Sequence, residues 1–270
     1  TTGAVPRFIL LTLLLPEGRT DEALVRGIRN QLFSACERQK ISVLGGHTEV
    51  THGIDRPLLA VTVIGEVSRD QLITPRGARP GDILLLTKGV PIEATALLAR
   101  EFPDRLRTHL TPQEIASAAD FLHQPGISIT RDAQIAVQAG KVTAMHDPTE
   151  GGLSAALWEM AQASGLDILF EPDKVHVPDL ATRICGVFGL DPLATIASGA
   201  LLIAVDPQDA DRIIAALTGN AIPVSRIQDQ AGKLVMAGAT KEMIKALPEF
   251  VYANDTAQRE QFVAAADKDI

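Results

Sequence analysis

The 270-residue sequence has few of the features that define several broad classes of protein. It contains two cysteines, which are too few for a cysteine-rich metal site or a disulfide framework and fit a reducing cytoplasm. Acidic residues outnumber basic ones by 33 to 25, and the net charge of -8 argues against nucleic acid or an anionic membrane as the main partner. The most apolar run, residues 8–15, is too short to cross a bilayer. We therefore expect a cytoplasmic globular protein that binds neither membrane nor nucleic acid.

Short catalytic and nucleotide-binding motifs are also lacking. The sequence has no Walker A string, no dinucleotide-binding glycine fingerprint and no nucleophile elbow. Neither cysteine lies beside a histidine in a glycine-rich turn, so nucleophilic catalysis has little support. A nucleotide site in this chain would need a different architecture.

The first third of the chain has the pattern of a small α/β unit. Residues 8–15 predict a buried strand or helix, and apolar residues recurring every fourth position over 21–39 predict an amphipathic helix. Short strands are predicted at 41–44 and 58–67. The segment 68–82 is rich in proline and glycine, which predicts a boundary between domains.

The rest of the chain predicts a second α/β unit. An apolar strand over 83–87 leads into a helix over about 91–100, and a further strand is predicted at 166–170 after a helix that ends at Gly165. We assign residues 1–70 to a first domain, 78–245 to a second domain and 246–270 to a tail.

A polar segment bounded by glycines, residues 45–53, follows the strand at 41–44 and is predicted to be a loop. His47, Glu49 and His52 resemble a metal-ligand set, but the histidines are five apart in a loop, whereas a zincin helix spaces them four apart. A transition-metal site is therefore disfavoured. Thr48 or Glu49 could hold Mg²⁺ or phosphate oxygens, since hard cations prefer oxygen ligands. Exposed loop residues with no ligand are the other alternative.

The segment 147–152 combines a helix start with two glycines. Asp147 can cap the helix, Pro148 fits the first helical position, and Glu150 completes a capping box. Gly151 and Gly152 then fall in the first turn, where each weakens a helix by about 1 kcal/mol relative to alanine. Either an anionic ligand approaches the free N–H groups of this turn, or the glycines let the helix pack closely against a strand. The spacing alone leaves both explanations open.

Five motifs occur in a fixed order along the chain. They are Thr-Gly-Ala-Val-Pro-Arg at 2–7, Leu-Gly-Gly-His-Thr-Glu-Val at 44–50, Pro-Gly-Asp at 80–82, Met-His-Asp-Pro-Thr-Glu-Gly-Gly-Leu at 145–153 and Ala-Ser-Gly-Ala-Leu-Leu at 197–202. Together they resemble the aminoimidazole ribonucleotide (AIR) synthetase, or PurM-like, superfamily. The resemblance extends to about residue 240 and is strongest to its HypE-like, AIR synthase-related branch.

The resemblance implies a two-domain PurM-like fold with mixed α/β sheets. Its N-terminal domain binds ATP and pairs with a second subunit to close a β-barrel, so it implies a homodimer, and its C-terminal α/β domain packs beside the first with ATP in the cleft between them. Members use ATP and Mg²⁺ to phosphorylate an oxygen, often an amide or carbamoyl oxygen of a small molecule or a protein.

The same resemblance implies a set of binding residues but no catalytic residue. Its nucleotide-binding positions are Gly45, Gly46, His47, Thr48, Glu49, Lys88, Gly89, Asp147, Thr149, Gly151 and Gly152, and its Mg²⁺ ligands are Glu49 and Asp147.

Three departures from the family pattern shape the functional expectation. The chain begins at Thr1 after the point where members carry a glycine-rich, aspartate-bearing segment that covers ATP and binds metal, so we expect it to be cut. His47 stands where many members have an acidic residue, and residues 265–270 lack the terminal cysteine that carries the carbamoyl group in HypE.

We therefore expect an ATP-dependent phosphotransfer enzyme that activates an amide or carbamoyl oxygen, a HypE-like paralogue whose acceptor the sequence does not identify. One alternative is a non-catalytic dimeric binding or scaffold protein that has lost the nucleotide lid. Another is a hydrogenase maturation factor to which a partner supplies the missing cysteine.

Overall fold

A computed structural model describes residues 1–227 of the chain. These residues separate into two compact units, one formed by Thr2–Leu72 and one that begins at Ile73. The division lies inside the proline- and glycine-rich segment 68–82. The end of the second predicted domain and the tail 246–270 lie outside the described residues. The assignment of ATP binding and dimerisation to the first domain stays a prediction.

The first unit is a three-stranded sheet with one helix. Its elements are β1 (Val5–Pro16), α1 (Glu22–Gln39), β2 (Ser42–Thr51) and β3 (Leu58–Glu66). The strand order is β2-β1-β3, with β1 parallel to β2 and antiparallel to β3. The carboxylate of Asp21 accepts a hydrogen bond from the backbone N–H of Leu24 at 2.8 Å and so caps α1. The helix predicted over 21–39 is confirmed.

The loop predicted over residues 45–53 is wrong, because β2 continues through it to Thr51. Ile9 pairs with Val43 but Leu10 pairs with Gly45, so one extra residue of β2 forms a bulge. Gly46 has φ +145°, and a Cβ there would fall on the carbonyl group of Leu11. The glycines that suggested a loop thus permit the close approach of two strands at the bulge.

The second unit contains a four-stranded sheet and seven helices within the described residues. They are, in chain order, β4 (Ile83–Thr87), α2 (Ile92–Glu101), α3 (Pro103–Leu106), α4 (Pro112–Ala119), α5 (Thr130–Ala139), β5 (Val142–His146), α6 (Gly152–Ser164), α7 (Asp179–Phe188), β6 (Leu202–Val205), α8 (Ala210–Gly219) and β7 (Val224–Arg226).

The sheet of the second unit has the order β5-β6-β4-β7, and all three strand pairs are antiparallel. The strand predicted at 166–170 is wrong, since this segment has no regular structure between α6 and a short 3₁₀ turn at Pro172–Lys174. Ile168 is buried there in the apolar cluster beside α6 and has no strand partner within residues 1–227. An apolar run therefore imitated a strand.

The core of the second unit lies on both faces of its sheet. Helix α6 packs on one face, where Leu153 and Met160 meet side chains of β4 and β6. Helices α5 and α8 cover the other face, where Ile213 and Leu217 pack on side chains of β4, β5 and β6. Burying one side chain of this size stabilises the folded state by about 1.5–3 kcal/mol. The two layers therefore hold the ends of the strands and the first turn of α6 in place.

A third apolar cluster joins α2, α3, α4 and α7 beside the sheet layers. Among residues 1–227, no helix combines the length and the apolar character that crossing a membrane requires.

Candidate functional site

The turn between β5 and α6 does not form the predicted capping box. Helix α6 begins at Gly152, and its N-cap is Gly151 with φ +75° and no side-chain capping bond. The Asp147 side chain stays about half exposed, at 45%. Residues 147–150 form an irregular turn, in which the N–H of Gly152 donates to the carbonyl of Thr149 at 3.0 Å. The helix therefore starts four residues later than the capping signal indicated.

Close packing explains why residue 152 is a glycine. Its φ is +63°, it is buried, and a Cβ on it would lie 2.6 Å from the carbonyl oxygens of both Leu193 and Thr195. The N–H of Ser154 donates to the Leu193 carbonyl at 3.0 Å, which ties α6 to the same segment. The packing explanation thus accounts for this glycine, although its neighbour is an irregular segment and not a strand.

These contacts also reduce the number of free N–H groups with which the first turn of α6 could bind a phosphate. The N–H groups of Gly152 and Ser154 already donate hydrogen bonds to the carbonyls of Thr149 and Leu193, respectively. A helix start binds an anion through free N–H groups. The roles of Asp147 and Thr149, on the turn before the helix, stay predictions.

His146, at the end of β5, lies between two acidic side chains. Its Nε2 is 2.7 Å from the Glu159 carboxylate, and its Nδ1 is 3.9 Å from the Asp147 carboxylate. The His146 side chain is mostly buried, so it links β5, the turn and α6. This histidine was not among the residues that the motifs singled out for binding.

The Lys88–Gly89 turn faces inward. The Lys88 ammonium donates to the carbonyls of Gly126 at 3.2 Å and Ser128 at 2.8 Å and is 3.2 Å from the Asp132 carboxylate. Its side chain is 4% exposed, and burial lowers the pKa of Lys88 while Asp132 opposes that change. All three donors of the ammonium therefore have protein partners. A phosphate contact by Lys88 stays a prediction, and in this structure its charge is paired with the Asp132 carboxylate.

On β2, the candidate residues divide between the two faces of the strand. Side chains two apart share a face, so His47 and Glu49 lie together, with 3.2 Å between Nε2 and Oε2, while Thr48 points to the opposite face. His52 pairs instead with Glu17 at 3.1 Å. The His-x-Glu-x-x-His string therefore does not converge on one point.

No three His, Cys, Asp or Glu side chains group as a metal site anywhere in residues 1–227. Mg²⁺ commonly keeps water and phosphate oxygens and takes only one or two carboxylates from the protein, so single carboxylates such as Glu49 and Asp147 fit its donor chemistry. The edge position of β2 adds backbone groups, since an edge strand has a row of N–H and C=O groups without a strand partner. The roles of Gly45 and Gly46 at this edge stay predictions.

The cysteines are packing residues. Cys36 and Cys185 are both buried, and burial raises the pKa of Cys185 to about 11. Such a thiol is protonated at neutral pH and is a poor nucleophile.

Sequence reasoning missed two polar atoms in the second unit. Glu93 Oε2, in the first turn of α2, and Ser154 Oγ, in the first turn of α6, are buried and have no hydrogen-bond partner within residues 1–227. The sequence signal for Glu93 is its place as an acidic residue in the first turn of a helix. Nothing in the sequence marks Ser154.

The fold and these motif positions define a two-domain protein of the PurM-like type, and two family models match the two parts of the chain. The model described as AIR synthase related protein, N-terminal domain, matches residues 1–67, and its C-terminal counterpart matches residues 79–229. The chain belongs to the AIR synthase related family. The predicted superfamily and the predicted mixed α/β fold are confirmed.

Curated relatives match most of this chain. It is 30% identical over 216 residues to a protein of Methanocaldococcus jannaschii provisionally named for hydrogenase expression and formation, with 78% of this chain and 60% of the relative covered. It is 29% identical over 241 residues to carbamoyl dehydratase HypE of Cupriavidus necator, with coverage of 87% and 64%. The chain thus spans less than two thirds of the length of either relative.

Solved structures share the fold. A hydrogenase maturation protein HypE in complex with ATP aligns with a TM-score of 0.68 at 23% identity, covering 87% of this chain and 67% of that one. Thiamine-monophosphate kinase from Stenotrophomonas maltophilia aligns with a TM-score of 0.69 at 22% identity, covering 88% and 74%. At these identities, the likeness concerns the fold.

Proposed function

We propose that this protein is an ATP-dependent phosphotransfer enzyme that activates an amide or carbamoyl oxygen, a HypE-like member of its family that acts in hydrogenase maturation. The observation that carries the proposal is the match of both units to the AIR synthase related domains, together with the names of the relatives that cover most of the chain. The ATP complex of a HypE with the same fold supports ATP as the phosphoryl donor.

In the proposed reaction, the amide oxygen attacks the γ-phosphorus of ATP. An O–P bond forms, the bond to the β-phosphate oxygen breaks, and ADP leaves. The phosphorylated oxygen is then a good leaving group. Such a transfer depends mainly on positioning and on neutralising charge, and Mg²⁺ supplies that neutralisation when bound.

Glu49 is the proposed Mg²⁺ ligand in the first unit. Its carboxylate is about half exposed, at 52%, and stands on an edge strand whose remaining backbone groups can meet phosphate oxygens. Asp147 is the proposed acidic ligand of the second unit, since its side chain is 45% exposed and does not cap α6.

Calorimetric titration with ATP, with and without Mg²⁺, tests this function. It uses the present chain and, in parallel, the chain extended by whatever its gene encodes before Thr1. We expect binding with Mg²⁺ and expect Glu49→Gln to weaken it about tenfold, the scale of a lost contact to a charged group. Without Mg²⁺, parent and variant should bind ATP equally.

Glu37→Gln, on the exposed surface of α1, is the matched control and should leave ATP binding unchanged. No heat signal from either form of the chain at millimolar nucleotide would refute the proposed function.

A non-catalytic dimeric binding or scaffold protein is the second candidate. It is favoured by the first turn of α6, where two of the N–H groups expected to meet a phosphate already donate to carbonyls. Such a protein would show no rise in melting temperature with ATP, whereas nucleotide at a hundredfold excess over Kd would stabilise a binder by about 3 kcal/mol.

A homodimer is part of both candidates. Many large apolar side chains of the three-stranded sheet are exposed in the single chain, and an exposed apolar patch is typical of a protein–protein contact. They are Val5, Leu10, Val43, Leu44, Val50, Leu58, Leu59, Val61, Val63 and Ile64. A second copy would cover this surface.

A further inference from the structure

His146 connects the turn after β5 to the body of α6 through its two ring nitrogens. Its Nδ1–H group donates to the backbone carbonyl of Asp147 at 3.2 Å, and because a carbonyl oxygen can only accept, Nδ1 is the donor of this bond. Its Nε2 lies 2.7 Å from the carboxylate of Glu159, which stands about two turns into α6. The His146 side chain is 19% exposed, so the surrounding protein limits how far the ring can turn. The peptide group of Asp147 is therefore tied to α6.

The other end of the same turn is held as well. The Thr149 carbonyl accepts hydrogen bonds from the N–H groups of Gly152 at 3.0 Å and Ala197 at 3.2 Å. Pro148, between the two bonded carbonyls, is buried. The backbone of residues 147–149 is thus fixed by its neighbours, although these residues belong to neither a helix nor a strand.

This arrangement accounts for the exposed carboxylate of Asp147. An aspartate before a helix usually turns its side chain onto the N–H groups of the first turn. Here the backbone of Asp147 is bonded to His146 and its side chain does not cap α6, so the carboxylate is 45% exposed. The nearest ring nitrogen is 3.9 Å from that carboxylate, which is beyond hydrogen-bonding distance. The carboxylate is therefore open to a cation, while the backbone that carries it is held.

We propose that His146 is a positioning residue which, supported by Glu159, holds Asp147 so that its carboxylate can bind Mg²⁺. The inference rests on the proposed function, because it concerns the acidic ligand of the second unit in that reaction. His146 acts through the backbone of Asp147 and does not contact the ion, in the way that outer contacts of a metal site orient the residues that bind the metal. A ligand that is already held loses less conformational entropy when it binds.

Binding of Mg²⁺ alone tests the inference without ATP. The carbon-13 resonance of the Asp147 carboxyl, assigned by its loss in Asp147→Asn, is followed by NMR as Mg²⁺ is added to the full chain at constant pH. We expect the resonance to shift. We expect His146→Phe, which keeps a flat ring but has no N–H group, to weaken the affinity about tenfold, the lower end of the effect of losing an outer contact. His123→Phe, at an exposed histidine elsewhere in the second unit, is the matched control and should leave the affinity unchanged.

Two variants separate positioning from packing. The amide nitrogen of His146→Asn takes the place of Nδ1 and can still donate to the Asp147 carbonyl, so this variant should restore most of the affinity. The amide nitrogen of His146→Gln takes the place of Nε2 and keeps only the Glu159 contact, so this variant should bind Mg²⁺ as weakly as His146→Phe. A ring that served only to fill space would give no preference for asparagine over glutamine.

Glu159 allows a second test at a half-exposed position, which decides the matter if His146→Phe does not fold. Glu159→Met removes the oxygens that meet Nε2 and should weaken Mg²⁺ binding about threefold, the lower end for one lost hydrogen bond. Glu159→Gln keeps one of these oxygens and should lose less.

The inference would be overturned by equal Mg²⁺ affinities of the parent, His146→Phe and Glu159→Met, or of His146→Asn and His146→Gln. It would also be overturned by an Asp147 resonance that does not respond to Mg²⁺ with or without ATP. ATP binding that persists in either case leaves the proposed function standing. A parent that binds Mg²⁺ at Asp147 with the expected dependence on His146, but gives no heat signal with ATP, would refute the phosphotransfer function and leave the role of His146 intact.

Discussion

Gly152 combines both reasons for which a chain retains a glycine. Its backbone is left-handed, and the space where a Cβ would stand is taken by the carbonyl oxygens of Leu193 and Thr195. Neither neighbour is the end of a flexible side chain, so neither can turn away. A substitution must therefore move the backbone.

Gly152→Ala is expected to lower the free energy of unfolding by about 2 kcal/mol or more, since strain at positive φ adds to the steric clash. Urea denaturation followed by circular dichroism measures this. Gly186→Ala is the control, because Gly186 is exposed in α7 and a Cβ there would meet nothing within 4 Å. It should raise stability by about 0.5–1 kcal/mol. A Gly152→Ala protein as stable as the parent would contradict the packing account.

Helices α4 and α7 are joined by a charge pair at their surface. Thr111 and Glu114 form a capping box at the start of α4, and Arg183 of α7 donates to the Glu114 carboxylate at 2.6 Å. The hydrogen bond from Arg183, followed by those from Thr111, lowers the pKa of Glu114 to about 2. The carboxylate is thus stabilised in its charged form when the protein folds.

This shift predicts a pH dependence of stability. Because the folded pKa of Glu114 is about 2 and its ordinary value is 4.5, the stabilisation is complete above about pH 4.5 and is lost as pH falls towards 2. Glu114→Gln should flatten the dependence of unfolding free energy on pH in that window. Arg183→Met should flatten it as well, and the double variant should add little. A Glu114→Gln protein with the parental slope in urea titrations would contradict the pairing.

The elements predicted correctly were those with a strong local signal. The helix over 21–39 has apolar residues every fourth position and a capping aspartate, and strand 83–87 is continuously apolar. The start of β2 was predicted as a strand at 41–44, but its continuation to Thr51 was predicted as a loop because its glycines and polar side chains are typical of loops. Its bulge depends on pairing with β1, which lies far back in the sequence.

The candidate site was less predictable for the same reason. The capping signal at Asp147 was overridden by the contact of Gly152 with residues 193–195, which no local pattern encodes. The resemblance to family motifs predicted which positions could bind a ligand but not where their side chains point. Lys88 is an example, since its side chain is buried and points inward. That Glu93 Oε2 and Ser154 Oγ have no hydrogen-bond partner within residues 1–227 follows from the positions of their neighbours, so only a three-dimensional structure reveals it.

For the molecule as a whole, the exposed apolar sheet of the first unit is the feature that most affects behaviour in solution. Both faces of β3 contribute, since the adjacent residues Val63 and Ile64 are 58% and 40% exposed. Among the described residues, β3 is also an edge strand of its sheet. Such a surface favours association with an identical copy.

We expect the protein to have twice the 28.8 kDa mass of one chain in solution, and Val61→Lys on β3 to shift it towards the monomer, because a buried unpaired charge opposes association. Sedimentation equilibrium at micromolar concentration measures this. Val137→Lys, at an exposed apolar position of α5 in the second unit, is the matched control and should remain dimeric. A monomeric parent, or a dimeric Val61→Lys protein, would refute the sheet interface.

The strand order of the second unit bears on how the chain is made. The inner strand β4 is fully buried, yet its partners β6 and β7 are synthesised much later, with Arg226 following its partner Leu85 by 141 residues (226 − 85). During synthesis, helices α2 and α4 can form from local contacts, whereas the apolar strand β4 lacks both of its strand partners until β6 and β7 have been made. Any nascent chain halted before Val224 would leave the β7 side of β4 without its strand partner, and such an apolar edge can pair with other chains.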